Sequence, residues 1–144
     1  MKDMITIRKP SDIVSLLGKW AKKPEENFLT VTLNGHHDVI KVHHITKGIL
    51  NKTIAHPREC FYPALKDRAA AVVFMHNHSS GTAEPSPEDI DLNNRLLAAG
   101  DILGFHVLDH VIMAKRGSWY SLRENGKFDS EHVKVGYSLL VEDR

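Results

Sequence analysis

Apolar and polar positions alternate through Phe28-Leu-Thr-Val-Thr-Leu33. A two-residue period rich in β-branched side chains predicts a strand. Asn34-Gly35 is a strong turn signal, and a second strand is expected from about Val39 to Ile45. The run from Ala70 to Met75 is apolar on both faces, which predicts a central buried strand that leads straight into His76-Asn77-His78. Helical patterning falls between these runs. Ser11, preceded by Pro10, is read as the cap of a helix through Ile13, Leu16, Leu17 and Trp20. Lys22-Lys23-Pro24 ends it, because proline disfavours helical geometry in the residue before it. Pro57 is placed as the first residue of a helix reaching Arg68, with Phe61 and Leu65 on one face. After a polar loop from Ser79 to Pro85, Ser86 opens a helix to about Leu97–Ala99, with Gly100 as its cap. Two strands follow, Phe105–Ala114 and Ser118–Leu122, and the stretch from Gly126 to Arg144 gives no clear assignment. The order α-β-β-α-β-α-β-β predicts an α/β fold, a mixed sheet flanked by helices.

At 144 residues the chain has the length of one ordinary domain, and 42% hydrophobic with 26% charged residues fits a globular one. The longest apolar run, Ala69 to Met75, is far short of the roughly 20 residues a membrane span needs. The opening MKDMITIRKPSD has no apolar stretch of signal-peptide length, so a cytoplasmic location is expected. One cysteine, Cys60, excludes an internal disulfide and a multi-thiolate zinc site, and it reads as buried filler rather than a nucleophile. A formal net charge of +1 gives no electrostatic footprint for nucleic acid. Ten histidines are the unusual feature, and they raise the question of metal.

His76 and His78, two apart at the end of a strand, point to the same side of the chain with Asn77 turned away. Both imidazoles can therefore reach one metal. An oxygen ligand suits a third position, because catalytic zinc takes three protein ligands and keeps a fourth site for water. Asp89 lies eleven residues beyond His78 in the first turn of the next helix, behind a loop able to fold back over the strand end. Ser86-x-x-Asp89 is also a capping-box-like pattern, so helix initiation alone would account for both residues. The combined pattern H-x-H-x7-S-x2-D favours one metal held by His76, His78 and Asp89. The literal string His-Asn-His carries no weight for an HNH nuclease, whose three letters name residues spread over a larger unit.

The stretch HNHSSGTAEPSPED (76–89) resembles the HNHPSG…PS..D motif of the RadC family, the bacterial branch of JAMM (JAB/MPN+) domains. GILNKTIAHPRECF (48–61) and GFHVLDHVIMAKRGSWYSLRENG (104–126) resemble that family's flanking segments. The likeness covers about residues 11–126 and leaves 127–144 as a tail. It implies a single JAB/MPN domain with a cytidine-deaminase-like fold and one catalytic zinc per chain. It further implies hydrolysis of a peptide or isopeptide bond by a zinc-bound water, with a peptide or protein as substrate. By the same resemblance Glu26 is the general base, and Ser86 assists the oxyanion or positions the water. Ser79 replaces the usual proline, a change expected to affect loop stiffness more than chemistry, and Asn34 stands where the family usually has Asp. Full-length RadC proteins carry an N-terminal helical region with a DNA-binding-like motif, and 144 residues are too few to include it.

Several acids compete with Glu26. Glu25 and Glu26 face opposite ways on a strand, so at most one serves. Glu59 sits in the first turn of the helix begun by Pro57, and Glu84 and Glu88 read as exposed charge. The histidines at 36, 37, 43, 44, 56, 106 and 132 read as surface or turn residues, whereas Asp109-His110 is a candidate support for the zinc ligands. Two other functional classes stay open: a RadC-like DNA-repair protein acting on nucleic acid, and a non-catalytic zinc scaffold.

Overall fold

The computed structural model describes residues 4–47 and 55–142. The part of the family resemblance at 48–54 lies outside the described residues. Helix α1 (Pro10–Leu17) runs into a short 3-10 turn (Gly18–Lys22) and then strands β1 (Asn27–Leu33) and β2 (Val39–Lys47). Helix α2 (Pro57–Lys66), strand β3 (Ala71–His78) and helix α3 (Pro87–Leu103) follow. Strands β4 (His106–Ala114) and β5 (Trp119–Ser121) and helix α4 (Ser130–Glu142) complete the chain. The five strands make one mixed sheet in the order β2-β1-β3-β4-β5, in which only β3 and β4 are parallel. The parallel pair is joined through α3, the crossover helix such a pair requires.

The two-residue period sorts side chains between two cores. Leu29, Val31 and Leu33 of β1 and Ala71, Val73 and Met75 of β3 pack with Ile13 and Leu17 of α1. Phe28 of β1 and Val72 and Phe74 of β3 pack instead with Cys60, Phe61, Leu92 and Leu96 of α2 and α3. Every residue of β3 is buried, which is why its sequence is apolar without alternation. The same parity carries His76 and His78 onto the face covered by α3 and turns Asn77 to the other. No helix among the described residues is long and apolar enough to cross a membrane.

Three of the differences from the sequence reading have a clear physical reason. Lys9, not Ser11, is the residue before α1, and Pro10 is the first helical residue. Proline suits that position because the missing N–H would have no helical partner there. The Asp12 carboxylate accepts from the N–H groups of Arg8 and Lys9 (2.8 and 3.1 Å). Helix α3 runs past Gly100 to Leu103 and ends at Gly104 in the left-handed conformation (φ 84°), whose N–H bonds to the Gly100 carbonyl. Gly100 is glycine for room: a Cβ there would lie 2.8 Å from Val107 Cγ2 and 3.2 Å from Phe61 Cζ. The stretch left without assignment carries α4, which packs on α3 through Gly136; a Cβ at that position would fall 1.8 Å from the Asn94 carbonyl oxygen. Its start is fixed by Asp129, whose carboxylate accepts from the His132 N–H at 3.1 Å.

Candidate metal centre

Strand β3 delivers His76 and His78 at its C-terminal end, and the first turn of α3 brings Asp89 across from them. His76 Nε2 lies 3.2 Å from His78 Nε2 and 3.2 Å from Asp89 Oδ1, and His78 Nε2 lies 2.9 Å from Asp89 Oδ2. Among the described residues these three form the one group of His, Cys, Asp or Glu side chains gathered closely enough to hold a metal ion. They are 0, 9 and 6% exposed. Zinc bonds of about 2.0–2.1 Å at tetrahedral angles set ligand atoms roughly 3.3 Å apart, so the observed spacing fits one small ion. Two nitrogens and a carboxylate oxygen are also a donor set that suits zinc.

The outer nitrogens orient the rings. His78 Nδ1 donates to the Thr82 carbonyl at 3.1 Å, which turns Nε2 toward the cluster. His76 Nδ1 lies 2.9 Å from His110 Nε2. His110 Nδ1 in turn lies 3.3 Å from Asn93 Oδ1, and Asn93 Nδ2 donates to the Lys127 carbonyl at 3.1 Å. Burial lowers the His110 pKa well below the ordinary histidine value, and the neighbouring His76 lowers it further. Burial would raise the Asp89 pKa, but hydrogen bonds from His76 and His78 and from the Ser86 N–H hold it well below the carboxylate range. For His78 burial acts downward, and the Asp89 carboxylate outweighs it and raises the pKa. Both shifts mark a site that favours positive charge beside Asp89.

Glu26 reaches this site through register. Phe28 pairs with His76 across the antiparallel β1–β3 ladder, so continuing two residues places Glu26 opposite His78 and on the Phe28 face. Glu26, His78, Ser86 and Asp89 line one open cleft of about 350 Å³, with Glu84 and Glu88 also on its wall. Glu25 is not among its lining residues. Glu59 lines a separate groove with Lys41, His43 and Tyr62. Ser79 does more than alter loop stiffness. Its N–H and hydroxyl both donate to Glu26 Oε2 (3.2 and 3.3 Å), and a proline at that position would lack both donors. Ser86 caps α3, its hydroxyl accepting from the Asp89 N–H at 3.1 Å.

Of the Asp109-His110 pair, His110 touches a candidate ligand. Asp109 does not: it accepts from the Ser121 hydroxyl (2.6 Å) and the Arg123 N–H (3.2 Å). Asn93 escaped the sequence reading, although it stands four residues after Asp89 on α3, the spacing that puts two side chains on one helix face. Cys60 is fully buried and burial pushes its thiol pKa far up, so it has no thiolate to act as a nucleophile near neutral pH. Three of the other histidines serve local structure: His43 bonds Asp67 (2.6 Å), His44 bonds Asn27 (2.9 Å), and His56 caps α2.

A mixed sheet flanked by helices, with two imidazoles and a carboxylate converging at one strand end, defines an α/β domain of JAB type with a potential metal site. The chain belongs to the RadC-like JAB domain family, whose model matches residues 7–127. It is 46% identical over 127 residues to a UPF0758 protein of Methanospirillum hungatei, covering 87% of this chain and 56% of that protein. A UPF0758 protein of Rubrobacter xylanophilus is 43% identical over 121 residues, covering 83% and 52%. One from Staphylococcus haemolyticus is 40% identical over 128 residues, covering 88% and 56%. The chain thus spans about half the length of the curated relatives it matches.

Proposed function

We propose that this domain is a zinc-dependent hydrolase of the JAMM type, cleaving a peptide or isopeptide bond with one zinc held by His76, His78 and Asp89. The observation that carries the reading is the convergence of two imidazole nitrogens 3.2 Å apart, each within 2.9–3.2 Å of one Asp89 oxygen, beside a cleft whose wall includes the Glu26 carboxylate. A bound zinc would supply Lewis-acid polarisation of the scissile carbonyl and a lowered pKa for water, from 15.7 toward about 7. Glu26 takes the proton that the attacking water loses and returns it to the departing amine, so its carboxylate serves first as base and then, protonated, as acid. Ser79 holds Glu26 at the cleft through two hydrogen bonds to Oε2. The Ser86 hydroxyl lines the same cleft and supplies a donor for the developing oxyanion. Thr82 and His110 keep the two imidazoles turned inward.

The test is turnover. Zinc-loaded protein incubated with a panel of fluorogenic peptides and lysine isopeptides should release amine product. A chelator should abolish the activity and added zinc should restore it. Activity that survives full chelation would contradict the proposal, as would inertness toward every amide while zinc is bound at full occupancy; the latter result favours a zinc scaffold.

A further inference from the structure

Behind His76 lies a series of buried donors and acceptors whose direction is set from its far end. The Lys127 main-chain carbonyl only accepts, and Asn93 Nδ2 donates to it at 3.1 Å. That bond fixes the amide, so Oδ1 is the Asn93 atom that faces His110 Nδ1 at 3.3 Å. An amide oxygen only accepts, and His110 therefore carries its proton on Nδ1. His110 is fully buried, with Phe28 and Phe74 edge-on at centroid distances of 5.7 and 6.3 Å, an enclosure that favours the neutral ring. In that ring Nε2 is a lone pair, and it accepts from His76 Nδ1 at 2.9 Å. The neutral form of His76 then has its lone pair on Nε2, the atom 3.2 Å from His78 Nε2 and from Asp89 Oδ1.

We propose that Asn93 and His110 are positioning residues, forming with the Lys127 carbonyl a relay that sets the His76 tautomer before metal arrives. The proposal rests on the metal reading of the site. The relay joins elements distant in sequence: Asn93 sits on α3 one turn beyond Asp89, His110 on β4, and Lys127 in the turn after β5. Without it His76 divides between two tautomers, and the form with a proton on Nε2 has no lone pair for the ion. Outer-shell partners of this kind are worth about 10–100-fold in metal affinity.

Two measurements on the full chain test it. Long-range 1H–15N NMR of the labelled, metal-free protein reads which ring nitrogen is protonated. The expected result is a proton on Nδ1 at both His76 and His110, and an unprotonated Nδ1 at either overturns the relay. Zinc affinity is then read by competition with a chelator. His110→Phe, which removes the acceptor, and Asn93→Leu, which removes the tautomer lock, should each weaken binding by about 10–100-fold. His110→Gln, whose Oε1 can accept from His76 Nδ1, should recover most of the loss. Equal affinity in all four proteins would refute the proposal. If a substitution prevents folding, the wild-type spectrum still decides. A wild type that shows the expected tautomers yet binds no zinc would sink the metal reading and leave the relay standing.

Discussion

The main-chain N–H of Ser86 donates to Asp89 Oδ2 at 2.9 Å, and the Asp89 N–H donates back to the Ser86 hydroxyl at 3.1 Å. One capping box thus starts α3 and also aims a candidate ligand. Only half of it depends on the serine side chain. Ser86→Ala keeps the main-chain donor to Asp89, so zinc content should stay near wild type while stability falls by about 1 kcal/mol. If the hydroxyl also serves the oxyanion, turnover falls by roughly 10²–10³. Denaturant unfolding and elemental analysis of the same preparation separate the two halves. Loss of zinc in Ser86→Ala would show that the hydroxyl, not the main chain, orients the carboxylate.

Glu26→Gln preserves shape and removes the ability to take a proton. Zinc content should be unchanged and turnover should fall at least 10²–10⁴-fold, the usual worth of general-base catalysis. Glu25→Gln should have little effect, because Glu25 is not on the wall of the cleft. Greater damage from Glu25→Gln or Glu59→Gln would remove Glu26 from the assigned role.

Gly136 of α4 lies so close to α3 that a Cβ would fall 1.8 Å from the Asn94 carbonyl oxygen. Gly136→Ala must push the two helices apart, although alanine favours helix formation in isolation. A loss of about 1–3 kcal/mol in urea unfolding is expected, the usual range for overpacking. A neutral or stabilising result would contradict the close approach of α4.

Asp67 accepts from the Thr32 hydroxyl (2.7 Å) and from His43 Nε2 (2.6 Å). Burial would raise its pKa, but these two bonds outweigh it and hold the value below that of a free carboxylate. A depressed folded-state pKa stabilises the fold above the unfolded value, about 3.9, and that stability is lost as pH falls through the folded value. The stability difference between wild type and Asp67→Asn should therefore hold at about pH 5 and close as pH drops below about 4. A difference that stays constant from about pH 5 to about pH 2 would contradict the pairing.

Local signals carried much of this in the sequence. The parity of His76 and His78, and the serine, proline and acidic residues that open α3, are short-range features legible without any tertiary contact. Helix α4 was not legible, because Val133, Val135 and Gly136 are weak helix formers and Gly136 is there for its contact with α3. Gly100 carried the same ambiguity: a glycine near a helix end reads as a cap, and only the neighbouring Val107 and Phe61 show that it is there for packing. The partners of His76 lay hidden for another reason. Asn93 and the Lys127 carbonyl meet His110 only once α3 has crossed to the sheet and the turn after β5 has closed. The tether from Ser79 to Glu26 likewise spans 53 residues and depends on the β1–β3 register.

Metal content tests the central claim most directly. Protein purified without chelator and loaded with zinc should hold about one equivalent per chain by elemental analysis, since three protein ligands leave one position open on a single ion. The His76→Ala, His78→Ala double variant should lose nearly all of it while keeping its folded circular-dichroism spectrum. Full zinc retention in that variant, or a wild type that takes up none, would contradict the account.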